Sequence, residues 1–87
     1  MLVVKCFYAE WDRESLEQKA ELEELREEFP EVDFRMVDVE IYREMTSKSK
    51  IHTLPTVVLE RDGEPLKKFV GRISKDVLRN TIKKYLE

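Results

Sequence analysis

The residues Leu2-Val3-Val4-Lys5-Cys6-Phe7-Tyr8 constrain this chain more than any other segment. A nearly continuous apolar run, rich in β-branched and aromatic side chains, reads as a strand buried on both faces, and therefore as a central strand beneath helices. The next segment, Asp12 to Phe29, contains no glycine or proline and is dominated by Leu, Glu, Lys, Gln and Arg, which is strong helix composition. Its apolar residues suggest two offset stripes, Leu16/Ala20 and Leu22/Leu25/Phe29, as on a bent helix or one with contacts on two sides. Pro30 then stops it.

Val32 to Val39 begins with apolar/polar alternation and reads as a second strand. A helix between these strands makes them parallel with a right-handed crossover. Ile41 to Lys50 is a weaker helical segment. Thr56-Val57-Val58-Leu59 and Leu66-Lys67-Lys68-Phe69-Val70 flank Asp62-Gly63, a hairpin signal because both central positions of that turn require positive φ. Ser74 can cap a last helix, with Asp76 in its first turn, and Val77, Leu78, Thr81, Ile82, Tyr85 and Leu86 give that helix one apolar face. The order βαβαββα predicts an α/β fold: a central four-stranded mixed sheet flanked by helices, in a single domain over residues 1–87.

Composition narrows the function classes. With 41% hydrophobic and 40% charged residues, the chain is too apolar for disorder, and its net charge of −3 argues against general nucleic-acid binding. No apolar run approaches the roughly 20 residues that span a bilayer, and no signal-peptide pattern opens the chain. One cysteine excludes an intrachain disulfide and a multi-thiolate metal site. The expectations are a cytoplasmic monomer with no cofactor, no metal, no nucleic-acid partner and no membrane contact. Charge is uneven: residues 10–31 hold ten acids and three bases, whereas residues 61–87 hold eight bases and four acids. This predicts two oppositely charged faces. Interleaved charges and scarce glycine also resemble a thermostable or engineered surface.

From Phe7-Tyr8-Ala9-Glu10-Trp11 through Val37-Asp38-Val39, Thr53-Leu54-Pro55-Thr56, Asp62-Gly63-Glu64 and Val70-Gly71, the sequence resembles thioredoxin, in its minimal thioredoxin or glutaredoxin form. The resemblance implies a thioredoxin-like fold and a cis Leu54–Pro55 bond. It also implies that Trp11, Thr53, Leu54 and Pro55 form a groove for a protein or extended peptide. Where the family carries its Cys-X-X-Cys, this sequence has Asp12-Arg13-Glu14-Ser15. Dithiol exchange needs an attacking thiolate and a resolving thiol, and neither a carboxylate nor an alcohol replaces them. Cys6 occupies the place of the family's buried aspartate.

The remaining candidates have plainer readings. Asp12 reads as a helix N-cap, with an acid/base or metal role beside His52 as the alternative. Ser15, with Gln18 three residues on, fits a capping box. Cys6 reads as a small buried hydrophobe. His52, the one histidine, has no partner at ligand spacing and reads as a surface residue. Trp11 either lines the groove or folds over the first helix. The expected function is a redox-inactive, non-catalytic binding module that uses the Trp11/Leu54–Pro55 groove. The alternatives are a designed scaffold with no evolved function and, less favoured, a single-thiol or glutathione-type enzyme.

Overall fold

A computed structural model describes residues 1–87. The elements run β1 (Leu2–Tyr8), α1 (Arg13–Glu28), β2 (Asp33–Asp38), α2 (Arg43–Lys48), β3 (Thr56–Arg61), β4 (Glu64–Val70) and α3 (Lys75–Leu86). The sheet order is β2-β1-β3-β4. Strand β1 is central, parallel to β2 and antiparallel to β3, as its two-faced burial requires. The β3–β4 hairpin turns at Asp62 and Gly63, both at positive φ (52° and 82°), and a bulge near Glu60 lies opposite Pro65, which has no N–H to give the ladder.

Alternation along β1 sends Leu2, Val4 and Cys6 to one face of the sheet. There they meet Val57 and Leu59 of β3, Leu22 and Leu25 of α1, and Leu78 and Ile82 of α3 in the main core. Phe7 points the other way and joins Val37 and Val58 in a much smaller cluster, with Val39, Ile51 and Leu54 packed against it. Beyond that cluster the second face is sealed by a half-buried pair, Lys5 to Glu60 at 3.1 Å.

Three expectations change. Helix α1 buries a single stripe, Ser15, Gln18, Leu22, Leu25 and then Phe29, while Leu16 is half-buried and Ala20 exposed. The inward positions of its first half are polar, so no apolar periodicity marks them. Gln18 is nonetheless satisfied: its amide donates to the Ile73 carbonyl at 3.0 Å, and its oxygen accepts from the Ile73 N–H at 2.8 Å. Helix α3 buries only Leu78 and Ile82, with Val77 and Leu86 at the surface.

The charged faces also meet instead of standing apart. Helices α1 and α3 lie on the same side of the sheet, so Arg72 binds Glu17 (2.6 Å) and Glu21 (3.2 Å), Lys75 binds Glu24 (3.3 Å) and Arg79 binds Glu28 (2.7 Å). Five of the seven glutamates of α1 are paired in this way within the molecule. The hydrogen bond and charge of Arg79 hold the Glu28 carboxyl below the usual range, and the Glu28 and Asp76 carboxylates in turn raise Arg79.

Candidate functional site

The site begins where β1 ends. Asp12 has extended backbone angles and caps α1, its carboxylate accepting from the Ser15 N–H at 3.0 Å. This N-cap stabilises the helix start by about 0.5–2 kcal/mol. The Ser15/Gln18 capping box is therefore not formed: the helix starts earlier and Ser15 lies inside it. The Ser15 hydroxyl, fully buried, accepts from the Ala9 N–H at 3.1 Å and donates to the Asp12 carbonyl at 2.9 Å. It ties the β1–α1 turn together and faces no solvent.

Cys6 sits beneath, on β1, with no exposed surface. Burial pushes its thiol up to about 12, with the positive charge of Lys19 opposing and Glu23 adding to the rise. A thiolate is the reactive form of cysteine, so Cys6 is unreactive in the folded protein.

The opposite wall comes from the segment before β3. Leu54–Pro55 is cis, as the resemblance implied. Pro55 is buried, its carbonyl accepting from the Gly71 N–H at 2.8 Å, and the Thr53 carbonyl accepts from the Thr56 hydroxyl at 2.6 Å. The loop is thus pinned from both sides. Trp11 stands 70% exposed, its indole N–H donating to Glu40 at 3.0 Å, so it does not fold over α1.

Between these walls lies a pocket of about 300 Å³ lined by Trp11, Asp12, Val39, Thr46, Ile51, His52 and Leu54. Of the expected groove residues, Trp11 and Leu54 come together here. Thr53 instead lines a neighbouring pocket, and Pro55 is interior. His52, which is exposed, lines the same pocket as Asp12, the neighbour that the alternative reading of Asp12 named. Its position directly before Thr53-Leu54-Pro55 was the available signal. No group of three or more His, Cys, Asp or Glu side chains is placed to hold a metal ion.

The thioredoxin family model matches residues 1–84. Thioredoxin-1 of Saccharomyces cerevisiae is 31% identical over 80% of this chain, and thioredoxin-like protein CXXS1 of Oryza sativa is 38% identical over 79%. The matches span 68% and 52% of those relatives, so this chain accounts for only part of their length. The Fasciola hepatica thioredoxin structure superposes with a TM-score of 0.87 at 34% identity, over 95% of this chain and 79% of that one.

These likenesses overturn the expectation of a redox-inactive, non-catalytic binding module. The relatives are thioredoxins by name, which points to a thioredoxin-type protein. What stands is narrower: with one cysteine, buried and unpaired, the chain has no internal dithiol–disulfide couple.

Proposed function

The chain belongs to the thioredoxin family, and from that premise we propose that it acts in thiol–disulfide chemistry on cysteine-bearing polypeptides. The polypeptide seats in the pocket between Trp11 and Leu54 and brings the reacting sulfurs itself. The observation that carries this reading is the convergence of Trp11, Asp12, His52 and Leu54 on one pocket at the start of α1.

The chemistry follows from what the pocket holds. Cys6 is sealed below it, so no thiolate of the chain reaches the substrate. A substrate thiol attacks a substrate disulfide, one S–S bond forms as another breaks, and no outside oxidant or reductant is consumed. His52 accepts the proton of the attacking thiol and returns it to the departing sulfur, a task suited to histidine. Asp12 accepts from the Ser15 N–H through one carboxylate oxygen and holds the start of α1 in place, and His52 is the proton carrier of this reading. Trp11 offers a broad, exposed ring and Leu54 an apolar edge on which an extended chain can lie.

On this reading the chain rearranges disulfides and does not reduce them with its own sulfur. Reactivation of a disulfide-scrambled ribonuclease in glutathione buffer tests it. The protein should accelerate recovery, and His52→Gln should lower that acceleration by about 10²-fold, the lower range of general acid–base contributions. Recovery at the rate of buffer alone would refute the proposal. Insulin reduction by a small dithiol should run no faster with the protein than without it.

A further inference from the structure

A second pocket, of about 270 Å³, adjoins the first through His52, which lines both. Its other residues are Lys50, Thr53, Thr56, Lys68 and Val70, with no carboxylate among them. No other pocket of the chain joins two lysines without a carboxylate. Elsewhere the basic side chains near acids are taken: Arg72, Lys75 and Arg79 are bound by glutamates of α1, and Lys48 by Glu44. The Lys68 ammonium instead rests 3.4 Å from the Ser49 and Lys50 carbonyls, neutral acceptors that hold it in place without cancelling its charge. Those contacts tie β4 to the segment that leads into the Leu54–Pro55 loop.

We propose that this second pocket receives an acidic side chain of the same polypeptide whose cysteine occupies the first, so that the substrates are polypeptides with Asp or Glu close to the reacting cysteine. The inference rests on the reading of the first pocket as the substrate seat. Lys50 and Lys68 supply the positive charge, and the Thr53 side of the loop forms the wall between the two subsites. Complementary charge placed beside an apolar seat selects among partners that the seat alone would accept equally.

Trp11 is the one tryptophan and is exposed at the first pocket, so its fluorescence reports occupancy there. Two peptides are titrated at low salt, one with a single cysteine flanked on both sides by glutamates, the other with glutamines in their place. The acidic peptide should bind more tightly by roughly threefold to tenfold, the range expected of two exposed ion pairs. Raising the salt should erase the preference. Lys50→Gln with Lys68→Gln, both on the surface, should erase it as well while leaving the glutamine peptide unchanged. Equal binding of both peptides by the wild type would overturn the charge subsite and leave the first-pocket reading intact. A preference that survives the double substitution would overturn it too. If neither peptide perturbs Trp11, the first-pocket reading fails, and this inference with it.

Discussion

Helices α1 and α3 cover one face of the sheet over a core of twelve buried residues, whereas α2 covers the other over a core of three and buries no residue of its own. The first face is closed by apolar packing, by the doubly bonded Gln18 and by five ion pairs between α1 and the Arg72–Arg79 segment. The second leaves Ile41, Tyr42 and Met45 at the surface and opens into the pocket beside Trp11. The main core and the proposed site thus lie on opposite faces of the sheet. One side carries the packing that fixes the fold, and the other keeps apolar and titratable groups accessible.

The largest expected effect lies in the main core. Leu25→Ala should cost about 2–5 kcal/mol in urea unfolding, as for other fully buried leucines. Met45→Ala, on α2, should stay within about 1 kcal/mol. Comparable losses from both would break the contrast between the faces. Next comes Gln18→Leu, similar in size but unable to serve the Ile73 N–H and carbonyl, with an expected cost of about 1–3 kcal/mol. A neutral result would mean that apolar volume at that position matters more than the polar join to the segment before α3.

Cys6 tests the seal between the faces. Its thiol stays neutral in the folded chain up to about pH 12 and ionises earlier once unfolded. Its contribution to stability is therefore complete below the ordinary thiol range and is lost as pH rises through that range towards 12. Alkylation at mildly alkaline pH should require unfolding. Rapid labelling of the native protein would show that β1 is open to solvent.

The smallest effect concerns the surface pairs. Arg79 holds the folded-state Glu28 carboxyl below its usual range, so this pair supports the fold at neutral pH. The support is lost as pH falls through the carboxylate range, and a modest acid destabilisation should disappear in Arg79→Gln. Amide exchange should map the same contrast, with α2 exchanging faster than α1 and α3.

The fold was legible wherever local chemistry and tertiary burial agree. The Leu2–Tyr8 run placed the central strand, Asp62-Gly63 the hairpin, and Ser74 the cap of α3, where its hydroxyl accepts from the Val77 N–H at 3.2 Å. It was misread where burial is polar. Ser15 and Gln18 occupy inward positions of α1 through hydrogen bonds to the Ala9 and Ile73 backbones, partners that sequence spacing does not reveal. The charge segregation was real, but only the packing of α3 beside α1 shows that it cancels internally.

At the site, resemblance singled out Trp11 and Leu54, and both line the pocket. Thr53 adjoins Leu54 in sequence, yet it lines the neighbouring pocket, with Thr56, Lys68 and Val70. His52 was set aside for want of a partner at ligand spacing. Its neighbours on the pocket include Trp11 and Asp12 of the β1–α1 turn and Val39 after β2, far away in sequence.

The most direct test of the account uses Cys6→Ala, checked for native folding, in the scrambled-ribonuclease assay. The account predicts acceleration equal to that of the wild type, because the reacting sulfurs belong to the substrate. Loss of acceleration in this folded variant would place the buried thiol of β1 in the chemistry and contradict the account.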